Sequence, residues 1–188
     1  MNENVLSDYV FGDTYCSHMA MPVNIELGDT ILFFESKQII WKIEKLLKDK
    51  KEIADNLNIN SLMAIDAIDV IEEFNSQYNF FLPDKAKEIR NMYYFGSLST
   101  LGIQIFLTLK EAPNITNLQP WVTMYTRLID KAYNQNNLLS KNRLEISHNK
   151  LSKFTKYFDN DYQQKIEDLF NKEESINHRI LSTKDFML

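Results

Sequence analysis

The stretch NMYYFGSLSTLGIQIFLTL, residues 91 to 109, is the longest segment of the chain without a charged residue. It is nearly long enough to cross a bilayer, but it carries polar side chains along its length, among them Asn91, Gln104 and Thr108. Its small residues, such as Gly96 and Gly102, would let neighbouring helices approach closely. We therefore interpret it as a buried helix at the centre of a soluble bundle and expect no membrane-spanning segment.

The flanking segments favour the same interpretation, because their apolar residues recur at the 3.6-residue spacing of amphipathic helices. The chain has only four Gly and four Pro, which leaves little room for the many tight turns of a sheet protein. The predicted helices cover roughly residues 37–57, 61–78, 83–111, 120–134, 140–158 and 162–180. The sequence thus predicts an all-α fold, a single-domain bundle of five or six helices.

The first 34 residues are the exception to this pattern. The segment VNIELGDTILFF, residues 23 to 34, reads either as two short strands around a Gly-Asp turn or as the lead-in to the first helix. We interpret it as a small β-hairpin or an irregular cap. The expected organisation is a cap over residues 1–34 and a helical bundle over residues 35–188, forming one domain overall.

Composition and cysteine usage indicate where the protein is located and which cofactors it lacks. Cys16 is the only cysteine, so no disulfide forms within the chain, and Glu3 and Asp8 stand where a signal peptide would carry positive charge. We therefore expect a cytoplasmic protein. With four glycines no Gly-rich phosphate loop is present, so we expect no nucleotide cofactor. Glu145 and His148 have the spacing of one half of a di-iron ligand set but lack the second half, so we predict no metal site.

Two surfaces are candidates for binding a partner. Trp41 lies off the apolar stripe of the first predicted helix and among charged residues, where an exposed tryptophan would anchor an interface. A basic face on the fifth predicted helix is the second candidate, in a stretch, residues 141–156, whose net charge is +4 while the whole chain is −5. Its members are Lys150, Lys153, Lys156 and Tyr157. These features predict a non-catalytic protein-protein interaction or regulatory module, of the kind that neutralises a toxin or an enzyme.

An alternative rests on KNRLEISHNK, residues 141 to 150, which spaces Arg143 and His148 as R-x4-H. This spacing resembles the R-x4-6-H motif of the HEPN ribonuclease families. The resemblance implies a helical homodimer that cleaves RNA without a metal, with Arg143 stabilising phosphate charge and His148 assisting proton transfer. Residues five apart on a helix point about 140° from each other, so the spacing also fits an ordinary structural histidine.

Overall fold

The chain adopts a mixed α/β fold, so the prediction of an all-α helical bundle is wrong. The computed structural model describes residues 28–65, 89–113, 115, 117–135, 139–142 and 144–188, together with the backbone of residues 23–24. In this part of the chain a five-stranded sheet and a two-stranded ribbon are combined with helices. The structural description below is confined to these residues.

The five-stranded sheet has four parallel strands and one antiparallel edge strand. Its spatial order is β1-β3-β2-β4-β5, with β1 antiparallel to β3 and the other neighbours parallel. The strands are β1 Val23–Asn24, β2 Thr30–Phe34, β3 Ile59–Ala64, β4 Asn91–Phe95 and β5 Leu118–Pro120. The segment assigned to a cap from its sequence therefore contributes β2, the middle strand.

The prediction of a hairpin in residues 23 to 34 is also wrong. Both segments are strands, but β1 and β2 do not pair with each other, because β3 lies between them and pairs with both. All five residues of β2, sequence TILFF, are buried. An uninterrupted apolar run of this length is typical of a parallel strand covered on both faces.

The helices are α1 Lys37–Lys48, α2 Thr100–Lys110, α3 Val122–Asn134, α4 His148–Thr155 and α5 Asn160–Asn171. The ribbon pairs β6 Leu139–Lys141 with β7 Glu174–Ile176, and short 3-10 turns cover Ala54–Asn56, His178–Ile180 and Thr183–Phe186. The helix predicted to open at Pro120 is confirmed as α3. The last predicted helix is confirmed in part as α5, with Asp159 as its N-cap.

The uncharged stretch from residue 91 to 109 is not one helix. It begins as β4, turns at Gly96, and becomes helical only after Ser99, whose hydroxyl caps α2 by accepting a hydrogen bond from the amide of Gly102. The helix predicted from Ser61 likewise begins as β3, and its remainder, residues 66–78, lies outside the described residues. Within the described ranges, no helix is sufficiently long and apolar to cross a membrane.

The end of the described chain closes the core, and we call residues 181–188 the C-terminal strap. Phe186 is fully buried, with its ring centroid 5.9 Å from that of Phe95 in β4 and 6.3 Å from that of Trp121. Arg127 of α3 donates hydrogen bonds to two backbone carbonyls of the strap. The strap therefore binds the sheet and α3 to each other.

Candidate functional site at the carboxyl ends of two central strands

The carboxyl ends of β2 and β4 lie side by side in the middle of the sheet. Their last residues, Phe34 and Phe95, are paired in register, and the amide of Glu35 donates to the carbonyl of Phe95 over 3.3 Å. From β2 the chain passes through α1 to β3 on one side, and from β4 through α2 to β5 on the other. The strand order thus reverses between β2 and β4, which is where doubly wound sheets bind ligands.

Glu35, the first residue after β2, has its carboxylate fixed through one oxygen. Oε2 accepts a hydrogen bond from the amide of Ser97, and Nδ1 of His178 lies 3.6 Å from the same oxygen. Burial acts to raise the pKa of Glu35, but the interactions with His178 and Ser97 outweigh it and lower the pKa below its ordinary value. The carboxyl group is therefore ionised at neutral pH. No hydrogen bond joins Oε1 to a described residue, and the side chain is 15% exposed.

Two glycines make room for this carboxylate. A Cβ atom on Gly96 would lie 2.6 Å from Glu35 Oε2 and 2.6 Å from Tyr94 Oη. A Cβ atom on Gly102, in the first turn of α2, would lie 2.2 Å from the carbonyl oxygen of Ser97. Neither glycine has a positive φ, so space rather than backbone conformation requires them. The turn after β4 is therefore packed too closely to accept a side chain at either position.

His178 reaches the site from the far end of the chain. Leu98 and Ile176 exchange two backbone hydrogen bonds of 2.9 and 3.0 Å, which fix the end of β7 against the turn after β4. His178 is 4% exposed, and its Nδ1 lies 2.9 Å from the hydroxyl oxygen of Ser97. Its Nε2 is buried and has no hydrogen-bond partner among the described residues.

Two buried tyrosines lie behind the carboxylate. The Tyr125 hydroxyl oxygen accepts a hydrogen bond of 3.1 Å from the amide of Gly96. The Tyr94 hydroxyl is also buried and has no partner within the described ranges. Burial raises the pKa of both tyrosines, and the nearby Glu35 carboxylate raises each of them further. Both phenols therefore stay protonated, and their O–H groups are donors.

These side chains border a cleft of about 320 Å³. Glu35, Ser97 and His178 line it on the side of the strand ends. The start of α1 and the turn after β7 supply the rest of the lining, namely Ser36, Lys37, Gln38, Asn177 and Arg179. This volume lies at the lower end of the range of about 300–1,000 Å³ found for small-molecule sites.

The arrangement does not match that of a serine hydrolase, although serine, histidine and glutamate are close together. Both Ser97 and Glu35 approach the same ring nitrogen, Nδ1, rather than opposite nitrogens of the imidazole. The amide after the serine, that of Leu98, is bonded to Ile176 and is not free to stabilise an oxyanion. Ser97 therefore contacts both Glu35 and His178, and the Glu35 carboxylate lines the cleft.

Trp41, a binding residue predicted from the sequence, is exposed. Trp41 is 59% exposed on α1, where Lys45 and Lys48 are also exposed. It does not line the cleft. Its role as an interface anchor stays a prediction.

The predicted basic face lies on and just after α4. Lys150, Lys153 and Lys156 are exposed, and Tyr157 is half-buried. The ammonium groups of Lys110 and Lys156 lie 5.5 and 5.4 Å from the centroid of the Tyr157 ring. These residues form a surface separate from the cleft lining, and its binding role stays a prediction.

Of the two residues in the predicted ribonuclease motif, the structure describes only His148. Arg143 lies outside the described residues, and His148 is exposed at the first residue of α4, after its N-cap Ser147. The helical bundle that the HEPN resemblance implies is not the fold of this chain. Cleavage of RNA by Arg143 and His148 stays a prediction.

In the described parts of the chain, no group of three or more His, Cys, Asp or Glu side chains would hold a metal ion.

Sequence reasoning missed Glu35, Ser97 and His178. The available signal was a charged residue directly after the apolar run TILFF and a Gly-Ser pair directly after NMYYF. Ligands of parallel sheets bind at the carboxyl ends of the strands. If both runs are interpreted as parallel strands, this rule selects Glu35 and Ser97. Nothing in the local sequence distinguishes His178, which the pairing of Leu98 with Ile176 brings to the site.

Comparison with known proteins adds no assignment: no protein-family model matches the sequence, and no curated protein matches it significantly.

Proposed function

We propose that this chain is a small-molecule-binding protein whose ligand occupies the cleft at the carboxyl ends of β2 and β4. The observation that carries the proposal is the ionised carboxylate of Glu35, anchored through Oε2 at the point where the strand order reverses. Holding a charge in a largely buried position is unfavourable, and sites that do so are commonly functional. A cytoplasmic location belongs to the same proposal, because the single Cys16 forms no disulfide within the chain.

The chemistry of Glu35 defines what such a ligand must offer. Its lowered pKa keeps the carboxylate an acceptor, so the ligand must present a donor such as a hydroxyl or an amino group. Oε2 is already engaged by the Ser97 amide, which leaves Oε1 for the ligand. A carboxylate held in position in this way loses little side-chain entropy on binding, which favours affinity.

Thermal denaturation in the presence of a panel of sugars, sugar phosphates, nucleosides, nucleotides and amino acids tests the proposal. A ligand at 100 times its Kd stabilises the folded state by about 2.7 kcal/mol. For a domain of this size that is a rise in Tm of about 5–10 °C. We expect at least one class to raise the Tm of the wild type and to lose most of that effect in Glu35→Gln.

The matched control is Glu52→Gln, which neutralises an exposed glutamate away from the cleft and should leave the ligand effect unchanged. The proposal fails if no class raises the Tm, or if Glu35→Gln responds to ligand as strongly as the wild type.

Binding to a protein partner is a second candidate, and the exposure of Trp41 favours it. A large exposed aromatic side chain on α1 matches the composition of interface hot spots, where tryptophan is enriched. The partner would be a protein that this chain regulates or neutralises. The basic face of Lys150, Lys153, Lys156 and Tyr157 is a further surface for an acidic partner.

Affinity capture with variants tests this second candidate. A partner retained by the wild type should be lost with Trp41→Ala and kept with Leu101→Ala, which removes another exposed apolar side chain, 39% exposed, on α2. Equal capture by the wild type and Trp41→Ala would remove Trp41 from the interface.

A further inference from the structure

Two cations, Lys37 and Arg179, line the cleft. Lys37 opens α1, and Arg179 belongs to the 3-10 turn after β7. Neither side chain forms an ion pair or a hydrogen bond with a described residue. Among the described residues that line the cleft, only Glu35 is acidic. The cleft therefore presents positive charge at Lys37 and Arg179 and negative charge at the strand end.

The start of α1 also suits an anion, and His178 adds an unpartnered polar atom to the lining. The start of α1, a helix of 12 residues, faces the cleft through Ser36, Lys37 and Gln38, and the first turn of a helix attracts negative charge. His178 lines the same cleft, is 4% exposed, and keeps a buried Nε2 without a partner among the described residues. Buried polar atoms usually have a hydrogen-bond partner, so this nitrogen is an exception among the residues that line the cleft.

We infer that the ligand is a small phosphorylated molecule with free hydroxyl groups. Its phosphate would be held by Lys37 and Arg179, and one hydroxyl would donate to Oε1 of Glu35. A phosphate has three terminal oxygens and a charge between about −1.5 and −2, enough to engage two cations at once. A single carboxylate satisfies both cations less well. This inference rests on the proposed function, because it uses the same cleft and the same Glu35 contact.

Isothermal titration of the full chain tests the inference with three phosphorylated probes and their dephosphorylated counterparts. The probes are ribose 5-phosphate, glycerol 3-phosphate and adenosine monophosphate, compared with ribose, glycerol and adenosine. We expect at least one phosphorylated probe to bind more tightly than its counterpart. Lys37→Ala and Arg179→Ala should each weaken it about tenfold or more, the loss expected for one charge-assisted hydrogen bond.

Lys48→Ala is the matched control, because Lys48 is an exposed lysine at the other end of α1. It should leave the affinity unchanged. Circular dichroism and melting of each variant establish that it is folded before its affinity is interpreted.

The inference and the proposed function fail in different ways. If a dephosphorylated compound binds as tightly as its phosphorylated form, and Glu35→Gln weakens it while Lys37→Ala and Arg179→Ala do not, the phosphate inference is overturned and the ligand cleft remains. If no phosphorylated probe binds while the wider ligand panel contains a Glu35-dependent ligand, the inference again falls alone. If Glu35→Gln changes the binding of no compound, both are overturned.

Discussion

The sheet half of the chain, up to residue 120, and the helical half after it bury their apolar residues differently. In β2 every residue is buried, and in α2 the buried positions include adjacent residues such as Ile105, Phe106 and Leu107. In α5 the fully buried positions are only Ile166 and Leu169, on one side of the helix. An element covered on all sides has no polar face, so its hydrophobic pattern does not reveal whether it is a strand or a helix.

The sharpest test of this difference compares adjacent residues in the two halves. Leu32→Ala and Phe33→Ala in β2 should each lower the free energy of unfolding by about 2–5 kcal/mol, because both side chains are fully buried on opposite faces of the sheet. In α4, Phe154→Ala should cost as much, while Lys153→Ala, which is exposed, should change stability by less than about 0.5 kcal/mol. Urea denaturation of the four variants measures this. A cost below about 1 kcal/mol for either β2 variant would mean that one face of the sheet is not covered.

The attachment of the C-terminal strap to α3 should give the next largest effect. Nη1 of Arg127, in α3, donates hydrogen bonds of 2.7 Å to the carbonyls of Asp185 and Met187 in the C-terminal strap. Arg127→Met should lower the free energy of unfolding by about 1.5–3 kcal/mol, since charge-assisted bonds are lost and part-buried acceptors remain. Arg90→Met, at an exposed arginine, is the control and should be nearly neutral. Equal chemical denaturation midpoints for the two variants would refute the role given to Arg127.

A smaller effect of unusual sign is expected in α2. Replacing a glycine in an exposed helix by alanine stabilises it by roughly 0.5–1 kcal/mol. Gly102→Ala should instead destabilise the protein by about 1–3 kcal/mol, because the new Cβ would lie 2.2 Å from the carbonyl oxygen of Ser97. Ser152→Ala, at an exposed position of α4, serves as the ordinary helix control. Thermal melting distinguishes the two signs, and a stabilised Gly102→Ala variant would contradict the close packing at the site.

The smallest predicted effect concerns pH. Because the folded-state pKa of Glu35 is lowered from 4.5, the ionised carboxylate contributes stability that is present above about pH 4.5 and is lost as the pH falls through the folded-state pKa. Urea denaturation between pH 3 and 7 should therefore show a shallower acid loss in Glu35→Gln than in the wild type. A stability difference between the two proteins that grows on acidification would contradict the lowered pKa.

The same contrast explains how much of the fold was predictable. Helices α3 and α5 were predicted because each exposes one face. Strand β4 was missed because its apolar run lacks alternation, and β2 was expected only within a hairpin or an irregular cap rather than as a parallel strand. The low Gly and Pro content argues against many tight turns, but it does not argue against a parallel sheet. Parallel strands need no tight hairpins, since helices connect them.

The candidate site was less predictable than the fold. Glu35 and Ser97 follow strands that were themselves interpreted as a cap and a helix, so their shared position could not be deduced. His178 joins them through contacts with Ser97, 81 residues earlier in the chain, and with Glu35, which lies earlier still. By contrast, the exposure of Trp41 follows from helical register alone, and its sequence position was sufficient to select it.

The burial of Phe186 between Phe95 and Trp121 has a consequence for the order in which the protein folds during synthesis. A ribosome delivers β4 long before it delivers the strap, so the part of Phe95 that Phe186 covers stays exposed while α4 and α5 are translated, even after Tyr125 of α3 has packed against the same ring. Nascent chains stalled ahead of residue 186 should accordingly recruit chaperones that bind apolar segments, and should release them once Phe186 has emerged.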